Sequence, residues 1–336
     1  DAEARISEWL PAAPRAPSAM LATGLSRPWV AAPARRPVGE SDGRALTAGE
    51  LAAMARVRRF GAVGTVMMAI GALGAGARPV VQDPVFGVRL LNLPSRIQTV
   101  ALTMTVTGVV IMVLAWLMLG RYVLRPRCMQ TSELYRTLWL WMAPLLLAPP
   151  MYSKDVYSYL AQSQIARQGG DPYRVGPVQG LGLDHVLTMS VPTIWRDTPA
   201  PYGSLFLWIG EGFAKITGED IVWGVFCHRL IALTGLMLIL WALPRLARRS
   251  DVAVVSAVWL GALNPLLLMH LIAGIHNEAL MIGLMLAGME LALAGVERAG
   301  PVVPWLLLAG TVLIALSAQI KLPSLLALGF VGMALA

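Results

Sequence analysis

The sequence predicts an all-α protein that crosses a membrane several times. Of its 336 residues, 57% are hydrophobic and only 14% are charged, and the mean hydropathy is +0.64. Apolar runs of about 20 residues recur along the chain, which is the length that a helix needs to cross the hydrocarbon core of a bilayer. This composition favours a polytopic helical bundle over a soluble domain with one large core.

The N-terminal segment differs from the rest of the chain. Residues 1 to about 50 are rich in Ala, Pro and Arg, and they show no sustained helical period. We therefore expect a disordered or loosely attached cytoplasmic tail over 1–50 and a transmembrane domain over 51–336. The residues from Thr47 to Glu50 have the pattern of a capping box, which predicts the start of the first helix.

The apolar segments predict the order of the membrane spans. A segment over about 202–217 is short, amphipathic and carries Glu211 and Lys215, so we do not expect it to cross. Because the chain begins at Asp1 and stops at Ala336 inside an apolar run, we expect it to be truncated at its C-terminus. The predicted spans cover about 60–77, 97–119, 134–150, 221–243, 252–271, 277–296 and 302–319, and another begins near residue 323.

Basic residues predict how the spans are oriented. Arginines cluster before the first span, between the second and the third, and over 245–249, and the positive-inside rule places all three clusters in the cytoplasm. The loop over about 151–220 then lies on the outer face of the plasma membrane. An odd number of crossings must separate residue 152 from residue 245, so the segment 202–217 lies along the outer face. An outward-facing 245–249 segment is the alternative, because single loops can break the rule.

The net charge and the cysteines argue against two other classes of protein. The formal net charge is +8, with a pI near 10.0. Basic cytoplasmic loops account for this charge, and no basic surface interleaved with aromatic residues predicts nucleic-acid binding. Cys128 lies in a basic loop and Cys227 lies within a span, so the sequence predicts no disulfide framework.

The first candidate for chemistry is Asp155, in the segment MYSKDVYSY over 151–159. It follows an apolar run, and a carboxylate at the end of a membrane span is costly to keep without a use. One interpretation is a general base at the outer mouth of an active site. The other is that Asp155 caps the helix that follows it, and the two roles are compatible.

A polar triplet opens the predicted span 277–296 on the same outer side. Asn277 is a good capping residue, whereas His276 and Glu278 either bind sugar hydroxyls or help Asp155 to hold a divalent ion. The chain has neither HxxxH nor CxxC spacing, so the sequence predicts no dedicated metal site. No cofactor is expected with certainty, and a divalent metal stays possible without support from ligand spacing.

Two cations complete the polar set. Lys321 follows the span 302–319, where it either meets a lipid phosphate or snorkels to the interface. Arg229 lies deeper, within the span 221–243, and a charge at that depth needs a partner. We expect an ion pair with an acid of the outer loop, with a contribution to phosphate binding as the alternative.

Aromatic residues accompany these charges in the outer loop. Tyr157 follows Asp155, Tyr173 lies in the segment GGDPYRVGP, and Trp195 and Tyr202 lie in PTIWRDTPAPY. Their flat faces suit sugar rings, and they equally suit a structural aromatic belt at the membrane interface. As a cluster, they predict the walls of a sugar pocket.

The motifs together resemble one enzyme family. The segments SKDVYSYLAQ, GGDPYRVGP, PTIWRDTPAPYGSL, GIHNEALMIGL and QIKLP are similar to those of the actinobacterial polyprenol-phosphate-mannose-dependent α-(1→6)-mannopyranosyltransferases. These GT-C superfamily enzymes build the mannan core of lipomannan and lipoarabinomannan. The resemblance covers about 55–336.

This resemblance implies a fold, a catalyst and substrates. The fold would be a GT-C helix bundle with a large first outer loop that carries membrane-parallel helices, among them 202–217. The catalyst would be an acidic residue of that loop, which Asp155 matches. The donor would be a β-linked mannosyl phosphate polyprenol and the acceptor a mannan glycolipid in the membrane. Because the product is α-linked, the reaction would invert the anomeric carbon.

The sequence departs from a metal-binding DxD pattern, because Lys154 precedes Asp155 and Val156 follows it. This departure favours a mechanism without a metal. Two rival functions remain. A lipid-linked sugar transporter or flippase would also use intramembrane charges, although it would place them near the middle of the bilayer. A related GT-C transferase would use an arabinosyl or glucosyl polyprenyl phosphate.

Overall fold

The computed structural model describes residues 44–124, 127–297 and 303–336. Its regular structure is almost entirely helical, which confirms the all-α class. Residues 1–43 of the predicted tail lie outside the described residues. The α-helices are α1 (Ala48–Ala75), α2 (Gln98–Val123), α3 (Thr131–Leu147), α4 (Asp155–Arg167), α5 (Pro177–Leu181), α6 (Val186–Ser190), α7 (Ser204–Thr217), α8 (Ile221–Arg249), α9 (Val254–Ala262), α10 (Pro265–Ala273), α11 (Glu278–Glu297), α12 (Val303–Ala318) and α13 (Ala327–Leu335).

The last residues of the predicted tail belong to the folded part of the chain. The short strand β1 (Arg44–Ala45) pairs in parallel with β2 (Arg127–Cys128). The capping box is confirmed, because the Glu50 N–H donates to the Thr47 hydroxyl at 3.3 Å and the Thr47 N–H donates to the Glu50 carboxylate at 2.9 Å. Regular structure therefore begins a few residues before the predicted boundary at residue 51.

The predicted spans are confirmed in part. Within the described residues, α1, α2, α8 and α11 are long and apolar enough to cross a membrane. The predicted span 252–271 is broken into α9 and α10, which meet at a 40° bend and give up to a fifth span. The predicted spans 134–150 and 302–319 form the shorter helices α3, with 17 residues, and α12, with 16.

Proline and capping chemistry explain the breaks. Pro265 has no N–H and stands at the start of α10, where the Asn264 side chain accepts the Leu266 N–H at 2.8 Å. The prolines at 149–150 follow the last residues of α3, so that helix cannot continue. The amphipathic segment 202–217 is confirmed as the helix α7, with 14 residues.

Glycines set how closely the long helices approach. A methyl group at Gly108 of α2 would lie 2.5 Å from the carbonyl oxygen of Gly64 of α1, and one at Gly64 would lie 2.7 Å from that of Gly108. The same relation holds between Gly288 of α11 and Gly310 of α12. Small residues let helix backbones pack closely. Such close packing stabilises helix contacts in lipid, where the hydrophobic effect does not drive helices together.

The loop helices form a second core beside the long helices. Every residue from Val156 to Ile165 of α4 is buried. Within the described residues, Tyr159 packs edge-on against Tyr202 and Phe206, with ring centroids 4.9 Å apart in both pairs. The first turn of α4, which carries Asp155, is therefore fixed on a packed element.

We expect Gly108→Ala to destabilise the protein by about 1–3 kcal/mol, because the added methyl overlaps the facing backbone. The control is Gly329→Ala, where an added methyl meets nothing within 4 Å. Thermal unfolding of the purified protein in detergent measures both. Equal melting temperatures for the two variants would contradict the close helix contact.

Candidate functional site

Asp155 is the first residue of α4 and is not its cap. The capping position is held by Lys154, and the Asp155 N–H donates to the Ser153 hydroxyl at 3.0 Å. The carboxylate is 35% exposed and faces His276, with Oδ2 3.5 Å from the ring Nδ1. Asp155 therefore does not cap α4, and its role as a general base stays a prediction.

Backbone contacts hold Asp155 against the triplet that opens α11. The Met151 N–H donates to the Ala273 carbonyl at 2.9 Å, which joins the end of α3 to the end of α10. Tyr152 and Ile275 have φ angles of +66° and +56°, in the left-handed region that side chains other than glycine seldom adopt. Both bends flank the site, where such strain is commonly kept.

His276 is buried at the centre of the site. Its Nδ1 lies 3.7 Å from Glu278 Oε2, and its ring stacks on that of His270 with centroids 3.9 Å apart. Burial lowers the pKa of His276, and the neighbouring His270 lowers it further, although the carboxylates oppose this shift. Asn277 is 2% exposed, and its side-chain atoms have no hydrogen-bond partner among the described residues, so the predicted cap is not formed.

Lys321 reaches the same site from the far end of α12. Its ammonium forms an ion pair with Glu278 and lies 5.9 Å from the centroid of the Tyr202 ring. Burial raises the pKa of the Tyr202 phenol, and the charges of Asp155 and Glu278 raise it further. The Lys321 side chain therefore points to the acidic cluster. Snorkelling to the interface would not require this specific contact with Glu278.

The start of α7 fixes this arrangement. The Gly203 N–H donates to the Ile320 carbonyl at 3.0 Å, and the Leu205 N–H donates to the Gln319 carbonyl at 3.1 Å. A cavity of about 490 Å³ lies here, and Tyr173, Tyr202 and Lys321 are among its lining residues. Trp195 is 47% exposed and does not line this cavity.

Arg229 holds the end of α3 rather than an acid. In an α-helix, the N–H of residue i donates to the carbonyl of residue i−4, so the prolines at 149–150 leave the carbonyls of Leu145 and Leu146 without donors. The Arg229 guanidinium donates to both, at 3.0 Å for Leu145, and also to the Ala148 carbonyl. The predicted acidic partner is replaced by backbone carbonyls.

Tyr157 and Arg229 line a different cavity from the one beside Lys321. This cavity has a volume of about 540 Å³ and is lined mainly by apolar residues of α1, α8 and the end of α3. The Tyr157 hydroxyl donates to the Ala77 carbonyl. Tyr157, predicted to line the sugar pocket, and Arg229, with phosphate binding as its alternative role, thus both lie at an apolar pocket.

His270 belongs to the site and was not predicted from the sequence. His270, His276 and Glu278 each place a ligand atom within 4.8 Å of the others, which is close enough to hold one metal ion. Five residues lie between the two histidines, and the end of α10 and the turn after it bring them together. The segment HLIAGIH offers this spacing as its only signal, and it is not a standard ligand pattern.

The fold and the site define a polytopic membrane protein with a charged cluster at the ends of its helices. The chain belongs to the α-(1→6)-mannopyranosyltransferase family, because residues 58–336 match the family described as "Alpha-(1->6)-mannopyranosyltransferase, N-terminal domain".

Curated relatives agree with this family. A probable alpha-(1->6)-mannopyranosyltransferase of Mycolicibacterium smegmatis is 67% identical, over 85% of this chain and 55% of the relative. An alpha-(1->6)-mannopyranosyltransferase of Mycobacterium tuberculosis is 62% identical over 88% and 57%. Alpha-(1->6)-mannopyranosyltransferase B of Corynebacterium glutamicum is 40% identical over 88% and 51%. The chain thus spans about half the length of these relatives. No solved structure matches it.

We expect Arg229→Met to lower the melting temperature strongly, because each buried carbonyl left unpaired costs about 1–3 kcal/mol. Arg229→Lys should recover part of the loss, since an ammonium can reach fewer of the carbonyls than the forked guanidinium. Arg245→Met is the matched control on the same helix, because the contacts of the exposed Arg245 within the described part of the chain are with the carbonyl and the ring of Trp241, one turn earlier. Similar melting temperatures for Arg229→Met and Arg245→Met would contradict the structural role.

Proposed function

We propose that the full-length protein transfers mannose from a polyprenyl-phosphate-mannose to the 6-hydroxyl of a growing α-(1→6)-mannan in the cell envelope. The transfer takes place on the outer face of the plasma membrane, and the N-terminal tail lies in the cytoplasm. The family and the names of its relatives support mannosyl transfer. The donor, the face and the acceptor rest on the resemblance and on the distribution of basic residues.

The observation that carries the proposal is the placement of Asp155. Its carboxylate is partly exposed and faces His276, whereas Lys154 occupies the N-cap position of α4. Through Glu278, the same cluster holds the ammonium of Lys321 beside a cavity. A base and a cation in one cluster are the groups needed to activate a hydroxyl and to stabilise a phosphate leaving group.

The chemistry is a single displacement. Asp155 takes the proton of the acceptor hydroxyl while that oxygen attacks the anomeric carbon of mannose. The bond from this carbon to the phosphate oxygen breaks, and its electron pair leaves with the polyprenyl phosphate. Lys321 offsets the new negative charge. No general acid is needed for such a leaving group, unlike in glycoside hydrolysis, and one displacement converts the β-linked donor into an α-linked product.

Other residues of the cluster support this reaction. Tyr202 and Tyr173 line the cavity and offer ring faces to a sugar, and His276 and Glu278 position the two charged groups. The apolar cavity beside Arg229 and Tyr157 takes the isoprenoid chain of the donor, because its walls are mainly hydrophobic and include Tyr157 of α4, two residues after Asp155. Arg229 shapes this cavity through the end of α3 rather than by binding phosphate.

A lipid-linked sugar transporter is the rival function. A transporter is expected to keep an intramembrane charge available to bind its substrate, but Arg229 donates hydrogen bonds to three backbone carbonyls.

A donor labelled in its mannose separates the two functions in proteoliposomes of the full-length protein. Label incorporated into acceptor supports the transferase, and label moved across the bilayer while still linked to its lipid supports the transporter. A panel of mannosyl, arabinosyl and glucosyl donors identifies the sugar.

We expect Asp155→Asn in the full-length protein to lower mannose transfer by about 10²–10⁴-fold, which is the usual contribution of a general base. Asp184→Asn is the control, since this exposed acid of the same outer loop does not line the cavity. Membrane insertion and melting temperature should match the wild type in both variants. Near-native transfer by Asp155→Asn would overturn its role as the base.

We expect Lys321→Met to lower kcat/KM for the donor by about 10- to 100-fold, because a charge-assisted contact contributes about 1.5–3 kcal/mol. Lys321→Arg should keep a larger part of the activity. Lys215→Met is the control, because Lys215 also forms an ion pair with a glutamate, Glu211 at 2.6 Å, but lies on α7 outside the cavity. Unchanged donor kinetics in Lys321→Met would mean that the ion pair with Glu278 is structural and that Lys321 does not bind the donor phosphate.

A further inference from the structure

Two imidazoles and two carboxylates converge where α10 ends and where α4 and α11 begin. His270, His276 and Glu278 place their ligand atoms within 4.8 Å of one another. Asp155 Oδ2 lies beside this group, 3.5 Å from His276 Nδ1. We propose that His270, His276 and Glu278 bind one divalent cation of the zinc class, with Asp155 beside its fourth position.

The distances fit ligands that share a cation better than direct hydrogen bonds. His276 Nδ1 lies 3.5 Å from Asp155 Oδ2 and 3.7 Å from Glu278 Oε2, and both contacts exceed the usual range of an N–H···O bond. A tetrahedral zinc ion with bonds of about 2.0–2.1 Å keeps its ligand atoms roughly 3.4 Å apart. The stacked rings of His270 and His276 keep their in-plane lone pairs nearly parallel, so one ring must rotate for both nitrogens to reach the same ion.

An unpaired buried atom points to the missing partner. Glu278 Oε1 pairs with the Lys321 ammonium, whereas Oε2 is buried and has no hydrogen-bond partner among the described residues. Leaving a carboxylate oxygen buried and unpaired is costly, and such atoms in a folded protein call for an explanation. A cation between Glu278 and His276 supplies a partner to Oε2 while Oε1 keeps its lysine.

The charge balance and the ligand types select the kind of cation. Asp155 and Glu278 carry two negative charges against the single positive charge of Lys321, so a further cation is electrostatically favoured. Mg²⁺ and Ca²⁺ prefer oxygen ligands throughout. Two imidazole nitrogens together with carboxylates favour Zn²⁺ instead. His270 is exposed, which gives the ion a route to the site.

The binding of the cation does not depend on the reaction, but its use does. If the proposed transfer is correct, the cation lies beside Lys321 and adds to the charge that meets the phosphate of the donor. Asp155 would then stand beside the ion and keep its carboxylate free to act as the base. This catalytic use rests on the proposed function, whereas the site itself is tested without substrate.

The test measures metal binding by the full-length protein in detergent after treatment with EDTA and desalting. Zn²⁺ stoichiometry is read by mass spectrometry of the metal, and Co²⁺ reports tetrahedral coordination through its visible absorption. The variants are His270→Gln and Glu278→Gln. The matched control is His185→Gln, because His185 also faces a carboxylate, Glu219 at 3.3 Å, but lies outside the cluster.

The expected result is one Zn²⁺ per chain in the wild type and in His185→Gln. In His270→Gln and Glu278→Gln the affinity should fall at least about tenfold, since even outer-shell partners of metal ligands are worth 10–100-fold. All variants should keep the melting temperature of the EDTA-treated wild type within a few degrees. If Glu278→Gln lowers it further, the loss of zinc affinity is read from His270→Gln alone. The His270 side chain is exposed, so its replacement disturbs the fold least.

Two results would overturn the site. One is substoichiometric Zn²⁺ in the wild type, and the other is wild-type affinity in His270→Gln. Either would mean that His276 bridges the two carboxylates without a metal. Zinc binding without mannose transfer would contradict the proposed function alone, and mannose transfer without zinc binding would contradict this inference alone.

Discussion

The prolines at 149–150 impose the constraint on which the site depends. They end α3 and leave the carbonyls of Leu145 and Leu146 without helical donors. Arg229 supplies these donors from α8, so a charge within a membrane-spanning helix is used to complete the backbone of another. Beyond the prolines the chain is anchored by the bond from Met151 to the Ala273 carbonyl, and this anchor delivers the first turn of α4 to the end of α10.

Helix ends carry nearly all the chemistry of this protein. Asp155 opens α4, Glu278 opens α11 and Lys321 follows α12, whereas Arg229 lies within α8 and pairs with backbone carbonyls. Charged groups are costly within a bilayer, so they are kept where helices break and can pair with one another. As a result, Lys321 forms an ion pair with Glu278, and Asp155 lies 3.5 Å from His276. A site assembled from several helix ends can combine a base, a cation and a metal-binding group.

Much of this arrangement could be predicted from the sequence because membrane topology is a strong constraint. Counting crossings put Asp155, His276, Glu278 and Lys321 on one side, and the structure brings these four side chains into one cluster. The capping box at Thr47 and the amphipathic helix α7 followed from local patterns.

The remaining features depend on geometry that no local pattern encodes. His270 joins the site only through the end of α10 and the turn after it, and Asn277 sits at a helix start without capping it. The partner of Arg229 was open to prediction, because the two prolines identify the carbonyls that lack donors.

Asp155 and Lys321 serve one transfer, in which Asp155 acts on the acceptor hydroxyl and Lys321 acts on the donor phosphate. A structure of the full-length protein with a non-transferable mannosyl phosphate lipid tests this claim most directly. We predict that the phosphate contacts Lys321 and that the anomeric carbon faces the Asp155 carboxylate. A phosphate bound away from Lys321, with the sugar outside the cavity lined by Tyr202, would contradict it.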